Sequence, residues 1–423
     1  MSRFGARALS TVEGVLIALD AIRSNRVRAA LTILGVAVGV FVVVAMAATI
    51  HGISQSFQKD VDEFGATTFS VRRRGIGIDA CDGSDEDCPD RKNPPLTLAE
   101  VKAIGQLPTV EASVPWLAGS ASIRYHDRYL SSVRYEAYGP RWLDIDGGAD
   151  ISPGRDFTEQ EYTSSAPVMI VNDTLARQLF GQSDPIGKQV LVNGKQFQVV
   201  GIYQTSTGFL KSMDGRGPDT PRMIFTANTA HRHLEASLRW MILWVKPRAD
   251  VARDAAVDEV TATLRGARGL RPAQQNNFVI VGEERMMEVF NQVFGAIFLV
   301  GLGLSAVALL VGGVGVVAIM MISVTERTRE IGIRKALGAS RGTILWQFLV
   351  EAATLTSIGA AVGLVLGGLL AWGIRVSTPI PAAIPLPAIV AALVASALTG
   401  ILFGMAPAAR AARLDPIEAL RHE

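Results

Sequence analysis

The sequence is poor in the residues that build disulfide scaffolds, metal centres and basic surfaces. Its 423 residues include two cysteines, five histidines and 7% aromatic residues. Two cysteines allow at most one internal disulfide, which excludes a fold stapled by several bridges. Acidic and basic residues nearly balance at a net charge of +2. This balance argues against a nucleic-acid partner, which would need a basic stripe.

A phosphate-binding loop for ATP is also missing. The nearest stretch is 181–189, whose glycine spacing is one residue too long for the Walker A pattern. Pro185 interrupts it, and Gln189 stands where a serine or threonine would hold magnesium. We interpret the stretch as a turn before a strand.

No nucleophile and base can be paired from the sequence, so no enzyme activity is expected on this chain. Among the histidines only His231 and His233 lie close together. An alternating pair on a strand can bind zinc, but a zinc site needs further ligands. None is indicated, so we expect no metal there.

Charged residues are missing from four long segments, each long enough to cross a membrane. The first is Ala29 to Thr49, and about 20 apolar residues suffice for a transmembrane helix. The others are 289–325, 348–374 and 388–406. Glu351 is the one charged residue within 348–374. The first segment is long and follows basic residues, which favours a retained anchor over a cleaved signal peptide.

Glycine spacing within these segments predicts close packing between helices. Small residues at every fourth position let two helix backbones approach each other in a membrane. The glycines with this spacing are Gly35 and Gly39 in the first segment, and Gly359, Gly363 and Gly367 in the third.

Residues 65–282 have the local signals of one folded soluble region with mixed strands and helices. Two capping boxes and a two-residue hairpin turn stand out: Thr97 with Glu100, Thr158 with Glu161, and Asn193-Gly194. Strands are predicted at 67–73, 167–171 and 238–245, and helices at 173–180 and 250–264. This order suggests an α+β domain, with one or two subdomains.

Apolar stripes continue past the membrane on both sides of this region. Ile50, Ile53 and Phe57 recur at helical spacing after the first segment, and Met287, Phe290 and Val293 do so before the second. We expect the two stripes to pack against each other as a pair of stalk helices.

A short charged run at 325–346 separates the second and third apolar segments. As a helix it would place Ile333, Ala336 and Leu337 on one arc and Arg327, Arg334 and Lys335 on another. Ile331 falls on the basic face, where water alone would not require an apolar residue. The run is either a connector against lipid headgroups or a plug that docks into a cytoplasmic partner.

Three motifs resemble those of the MacB-like, FtsX-type permeases, the membrane subunits of mechanotransmitting (type VII) ABC transporters. They are 22–35, 325–340 and 407–420, in the order and with the intervals that the family uses. In addition, 154–158 followed by 167–201 is similar to the extracytoplasmic core domain of the MacB family.

The resemblance implies a multi-pass α-helical membrane protein with four transmembrane helices and a large extracytoplasmic α+β domain between helices 1 and 2. Many MacB proteins carry an ATPase on the same chain and this sequence does not, so separate cytoplasmic ATPase subunits are expected to bind ATP and Mg. This chain itself would carry no cofactor. A second permease chain, identical or related, is expected in a dimer, with membrane lipids and a periplasmic adaptor as further partners.

In the family's mechanism, ATP-driven closure of the ATPases passes through the coupling segment to the spans and the outer domain. The resemblance places this role on Arg327, Arg329, Glu330, Ile331, Arg334, Lys335 and Gly338. Ile331, Arg334 and Lys335 are the residues most expected to contact the ATPase. The cargo stays open between export of an amphiphile, peptide or drug and extraction of a lipoprotein.

Lysine and arginine in the short loops predict the orientation. The N-terminal segment, the 325–346 loop and the tail are basic, whereas the 375–387 loop holds only Arg375. Both termini should therefore be cytoplasmic and 65–282 extracytoplasmic, in a bacterial inner membrane.

A membrane-anchored sensor or scaffold that regulates an extracytoplasmic partner without transport is the alternative function. It would show outer-domain movement set by a ligand and not by ATP. An extracytoplasmic enzyme is disfavoured because paired catalytic groups are lacking.

Two local features add narrower hypotheses. Cys81 and Cys88 could close a small loop in an oxidising compartment, and Asp82, Asp85 and Asp87 within it could gather a calcium ion. A solvated acidic loop is the simpler interpretation, because no complete calcium motif is present.

Glu351 is a charge near the start of the third span and is a functional candidate for that reason. Pairing with Arg341, pairing with a lipid amine, and snorkelling to the interface are equal alternatives for it.

The predicted segments, in chain order, are 1–28 as a cytoplasmic amphipathic helix, 29–64 as the first span with its stalk, 65–282 as the outer domain, 283–324 as the second stalk and span, 325–346 as the coupling segment, 347–374 as the third span, 375–387 as a short outer loop, 388–406 as the fourth span and 407–423 as a cytoplasmic tail.

Overall fold

The structure is a computed structural model that describes residues 26–64, 67–76, 89–145, 150–204, 219–378 and 380–421. The chain divides into two compact units. The inserted domain is Ser56–Val293, and the membrane unit combines the residues before it with those from Phe294 onward. Cys81, Cys88 and the candidate calcium ligands Asp82, Asp85 and Asp87 lie outside the described residues, as does most of the predicted 1–28 helix.

The helices, in chain order, are α1 Arg26–Phe64, α2 Leu98–Gly105, α3 Glu159–Ser164, α4 Asp173–Phe180, α5 Ala227–His233, α6 Arg253–Ala267, α7 Glu283–Glu326, α8 Thr328–Ala336, α9 Arg341–Ser377, α10 Leu386–Arg413 and α11 Pro416–Arg421. The strands are β1 Phe69–Arg72, β2 Val110–Tyr125, β3 Arg128–Tyr138, β4 Asp150–Gly154, β5 Val168–Asn172, β6 Gln189–Val192, β7 Lys195–Gln204, β8 Arg222–Thr226, β9 Ile242–Pro247 and β10 Val279–Val281.

The described strands of the inserted domain form one mixed sheet. Its order is β10-β1-β9-β2-β3-β8-β5-β7-β4, and β6 pairs with β2 and β7 beside this path. The pairs β3/β8 and β5/β7 are parallel, and the other pairs are antiparallel. Two hydrophobic clusters flank the sheet, one containing Leu175 and Phe225, the other Trp142 and Tyr203.

Local sequence signals set several elements of this domain. The Thr97 hydroxyl caps α2 and the Thr158 hydroxyl caps α3, each with the reciprocal glutamate contact of a capping box. Asn193 and Gly194 both have positive φ and turn β6 into β7, as the hairpin prediction requires. These three predictions are confirmed.

The stalk prediction is confirmed within the inserted domain at one pair of aromatic residues. The rings of Phe57, late in α1, and Phe290, early in α7, lie 4.8 Å apart. Both residues are buried, so this end of the two helices is held by an apolar contact.

Within the described residues, four helices are long and apolar enough to cross a membrane: Ala29–Lys59, Glu283–Glu326, Arg341–Ser377 and Leu386–Arg413. The helix that contains the first span is described from Arg26 to Phe64. The fourth helix continues past the predicted end at 406, because Pro407 is accommodated inside it.

Glycines lie where these helices cross. A Cβ on Gly35 would come within 2.9 Å of the Gly312 Cα, so α1 and α7 meet backbone to backbone. A Cβ on Gly363 would lie 2.6 Å from the Ala37 carbonyl oxygen, and one on Gly367 would lie 2.7 Å from Val44. The repeat in α9 therefore packs against α1, and only hydrogen fits at the crossing.

Candidate functional site: the helix between the second and third spans

The charged run between the second and third spans folds as a short separate helix. α7 ends at Glu326, and Arg327, at φ −104° and ψ 18°, separates it from α8. The Thr328 hydroxyl donates to the carbonyls of Val324 and Thr325 at the junction. The break lets α8 take its own direction, so it is a distinct element and not an extension of the span.

A Schellman motif ends α8. The N–H of Gly338 donates to the Lys335 carbonyl, and that of Ala339 donates to the Arg334 carbonyl. Gly338 has φ +95°, a conformation that a residue with a Cβ adopts only with strain. Ser340 then caps the next helix through the N–H of Thr343. Gly338 is therefore the residue that stops α8 and allows α9 to begin three residues later, at Arg341.

Ile331 is the apolar anchor of α8. Its side chain is 2% exposed and lies in a cluster with Val324 and Ala411. This corrects the expectation that Ile331 faces a partner. The single-helix projection placed it on the basic face, but the tail and the end of α7 cover that face, and the apolar side chain belongs to the permease's own core.

Polar contacts join α8 to the next span and to the C-terminal tail. The Arg334 guanidinium donates to the Gln347 side-chain oxygen at 3.0 Å. The Lys335 ammonium donates to the Leu414 carbonyl at 2.5 Å. Two of the residues expected to contact a partner therefore bind within the chain, and α8 is fixed at its C-terminal end to α9 and to the segment before α11.

Glu351 is paired at the other end of this site. Its carboxylate lies 3.7 Å from the Arg327 guanidinium and is 5% exposed. Arg327, not Arg341, is thus its partner within the chain, which corrects one alternative considered for it. The pair links the break between α7 and α8 to the third span.

The face of α8 that remains open combines apolar and charged side chains. Leu337 is 83% exposed and Ile333 is 44% exposed. Arg329 and Glu330 are also exposed. Large exposed apolar side chains beside charges are typical of a protein interface. The open residues of the predicted coupling set are therefore Arg329, Glu330 and Gly338, and Ile333 and Leu337 join them.

The other sequence candidates take ordinary structural positions. Gly187 and Lys188 lie in a turn that leads into β6, which confirms the interpretation of 181–189. His231 and His233 lie on helix α5 and not on a strand, and each ring bonds a backbone carbonyl, of Ala236 and Ser165 respectively. The Thr226 hydroxyl caps this helix by accepting a hydrogen bond from the Thr229 N–H.

Comparison with known families identifies both halves of this architecture. Residues 29–263 match the model of the MacB-like periplasmic core domain, and residues 302–416 match that of the FtsX-like permease C-terminal domain. The chain belongs to the MacB/FtsX-type ABC transporter permease family.

Two relatives illustrate this membership. It is 34% identical over 417 residues to the macrolide export ATP-binding/permease protein MacB of Azoarcus sp. (strain BH72), covering 97% of this chain and 60% of that protein. It is 32% identical over 433 residues to the ABC transporter permease YvrN of Bacillus subtilis (strain 168), covering 97% of this chain and 100% of YvrN. The chain thus spans about 60% of the length of this MacB relative.

The periplasmic region of MacB from Actinobacillus actinomycetemcomitans is similar at a TM-score of 0.44 and 17% identity, covering 56% of this chain and 97% of that one. As a MacB/FtsX-type permease, this chain is a membrane protein, and the large mixed α/β domain between its first and second spans corresponds to the family's periplasmic core domain.

Proposed function

We propose that this permease couples ATP hydrolysis by a cytoplasmic ATPase subunit to movement of its inserted domain, and that α8 is the docking element. The observation that carries the proposal is the division of α8 into two faces. One face is anchored inside the permease by Ile331, Arg334 and Lys335. The other presents Ile333 and Leu337 outward.

Such a helix can transmit movement because it is held by neighbouring segments. A displacement of α8 would reach α9 through the Arg334–Gln347 hydrogen bond and the tail through the Lys335–Leu414 hydrogen bond. The Arg327–Glu351 pair adds a second attachment to α9, seven residues from Arg334 on the α8 side and four residues from Gln347 along α9. Two attachments resist rotation as well as translation, so ATPase closure would move α8 and α9 as one body.

The proposed orientation places α8 and both termini in the cytoplasm and the inserted domain outside a bacterial inner membrane. The basic residues of α8 and of the tail support this orientation through the excess of lysine and arginine in cytoplasmic loops. An even number of spans is compatible with it. A second permease chain and a pair of ATPase subunits would complete the transporter, with ATP and Mg bound on the ATPases.

The proposed work is export or extraction of an amphiphile, peptide, drug or lipoprotein. The MacB relative is a macrolide export protein, and this similarity supports export over regulation alone. Apolar side chains cover the outward faces of the spans, for example Leu299, Leu369 and Leu402. This surface suits lipid or a second chain and not a polar solute path, so the movement of the inserted domain would carry the function.

The test compares two leucine substitutions in the tagged full-length chain, purified gently from its native membrane. Leu337→Asp should lose the co-purifying ATPase at least tenfold, because an exposed anchor in an interface core typically contributes about 2 kcal/mol or more. Leu191→Asp, at an exposed leucine of β6, is the matched control and should retain it.

Equal recovery of the ATPase with both variants would contradict docking through α8. If no ATPase purifies with the parent chain, and the inserted domain moves with ligand but not with ATP, the chain is a sensor or scaffold instead.

The transmission step has its own test. Glu351→Gln removes the charge that holds Arg327 but leaves Leu337 in place. ATPase binding should persist while the ATP-dependent distance change across the inserted domain, measured between paired spin labels, falls severalfold. An unchanged distance response would remove the Arg327–Glu351 pair from the coupling path.

A further inference from the structure

The inserted domain contains a cavity of about 680 Å³ that the coupling function does not use. Its walls come from α2, the first residues of β2, the 139–141 turn, α3 and the start of α5. Cavities of roughly 300–1,000 Å³ are the usual size for small-molecule sites. The volume therefore admits a drug-sized molecule.

Residues of both hydrophobic clusters of the inserted domain line the cavity. Leu98 and Val101 line it from the cluster that contains Phe225. Ala112 and Tyr162 line it from the cluster that contains Trp142. An occupant would contact both clusters and so stiffen the junction between them.

The lining combines apolar groups with one buried hydroxyl. Leu98, Val101, Pro115 and Ala227 supply apolar surface. Tyr162 is 5% exposed, and its hydroxyl has no hydrogen-bond partner. A buried donor without an acceptor is rare in folded proteins and marks a place where a bound molecule could supply one.

Lys102 and Arg141 line the cavity together with Glu111 and Glu159, and the carboxylates near the Tyr162 hydroxyl favour an uncharged group beside it. Arg141 is already paired with Glu111 at 2.9 Å and with Asp144 at 2.7 Å. Burial raises the pKa of the Tyr162 hydroxyl, and Asp156 and Glu159 raise it further, so this group stays a proton donor. The same carboxylates would repel an anionic acceptor placed beside the hydroxyl.

We propose that this cavity binds a neutral, largely apolar small molecule whose carbonyl, ether or hydroxyl oxygen accepts a hydrogen bond from Tyr162. The apolar body of the molecule would lie against Leu98, Val101 and Pro115. Binding would bridge the two clusters of the inserted domain, and it does not depend on the proposed ATPase coupling.

Benzophenone is a suitable test molecule, because it is uncharged, carries a single ketone oxygen and attaches covalently to nearby C–H groups under ultraviolet light. The full-length chain in lipid nanodiscs is irradiated with it in the absence of ATP, and labelled peptides are identified by mass spectrometry. Labels should concentrate in peptides containing 98–106, 110–115 and 159–163. The 4-benzoylbenzoate anion should label these peptides severalfold less.

Variants separate binding in the cavity from partition into lipid. Ala99→Trp fills the cavity from the exposed side of α2, and Thr163→Trp fills it from α3. Each should abolish labelling of the cavity peptides and leave labelling of the spans unchanged. Ala255→Trp, on the exposed face of α6 outside the cavity, is the matched control and should label like the parent. Tyr162→Phe keeps the ring and should reduce cavity labelling about fivefold, as loss of one hydrogen bond predicts.

Two sets of results would contradict two different parts of the proposal. Labelling of the cavity peptides that persists in both tryptophan variants, or that never exceeds the labelling of α6, would overturn the site. Equal labelling by the anion, or no change with Tyr162→Phe, would overturn the neutral oxygen-bearing ligand class.

Discussion

The inserted domain and the membrane unit are stabilised by different kinds of contact. In the inserted domain the large apolar side chains turn inward, and Tyr129, Leu191 and Trp240 are the exposed ones among its described residues. In the membrane unit large apolar side chains cover the outward faces of all four spans, and the helices meet at glycines.

The difference follows from the solvent that each unit meets. Water drives apolar side chains into a core, whereas lipid gives apolar helices no such reason to associate. Close backbone approach then supplies the contact between helices. The ion pairs of the two units also differ in burial. In the inserted domain both Arg222 and Glu136 are almost fully buried. In the described part of the membrane unit, Glu351 is buried but its partner Arg327, directly before α8, is partly exposed.

The largest expected effect comes from breaking the buried pair of the inserted domain. Arg222 donates to the Glu136 carboxylate at 3.1 Å, and both side chains are almost fully buried. Arg222→Met removes the guanidinium that contacts the buried Glu136 carboxylate and should lower the free energy of unfolding by about 3–5 kcal/mol. Hydrogen exchange of β3 and β8 in the full-length chain measures this loss.

Arg239→Met, at an exposed arginine, is the control for that substitution and should change little. A loss below about 1 kcal/mol for Arg222→Met would mean that apolar packing, and not the pair, holds this part of the sheet.

The next effect tests close approach in the membrane unit. Gly363→Leu drives a side chain into the Ala37 carbonyl and should destabilise the helix pair by about 1–3 kcal/mol. Gly373→Leu is the matched control on the same helix, because a Cβ there meets no atom within 4 Å. Thermal unfolding in detergent measures both, and equal midpoints would show that the α1–α9 crossing tolerates side chains.

A smaller effect is expected at the end of α8. Gly338→Ala forces an alanine into the left-handed region and should cost about 1–2 kcal/mol locally. Amide exchange at 331–336 should accelerate accordingly, and ATPase coupling should weaken with it. Gly342→Ala, at an exposed glycine with ordinary φ at the start of α9, should leave exchange in α8 unchanged.

The smallest effect is a pH dependence in the inserted domain. Hydrogen bonds from the Arg155 guanidinium lower the pKa of Glu161 from the ordinary 4.5 to about 2 in the folded protein. The stabilisation is therefore complete above pH 4.5 and is lost as the pH falls through about 2. After allowance for solvent screening it amounts to about 1 kcal/mol.

Glu161→Gln should remove that part of the pH dependence between pH 5 and pH 2, whereas Glu159→Gln, at an exposed residue of the same helical turn, should keep it. Unfolding by denaturant at several pH values measures the two slopes. Parallel slopes for the parent chain and Glu161→Gln would show that other carboxylates account for the acid sensitivity.

Local signals in the sequence were enough for much of the inserted domain. The Asn172–Leu175 cap and the apolar positions of α4 lie within a few residues of each other, and the predicted helix 173–180 matches the observed one. The long strands β2 and β3 were missed. Their ladder pairs Trp116 with Tyr138 across a hairpin, and the alternation of their buried and exposed residues is irregular near the bulge at Ala121.

The sequence predicted where the candidate site lies but not which of its side chains are buried or paired. The family motifs and the charged run between apolar segments located α8, because charge and apolar runs are properties of the sequence alone. The role of Ile331 and the partner of Glu351 could not be predicted, because both depend on residues about 80 and 24 positions away, at Ala411 and Arg327.

The sequence by itself determined the four spans, the inserted α/β domain, the capping boxes and the family, since hydropathy, capping and turn chemistry act over short stretches of chain. Only the tertiary structure decided which face of α8 is open, that Glu351 pairs with Arg327, and that residues of two hydrophobic clusters line one cavity. These features arise where distant segments meet, and packing in three dimensions, not local preference, sets which side chains are covered there.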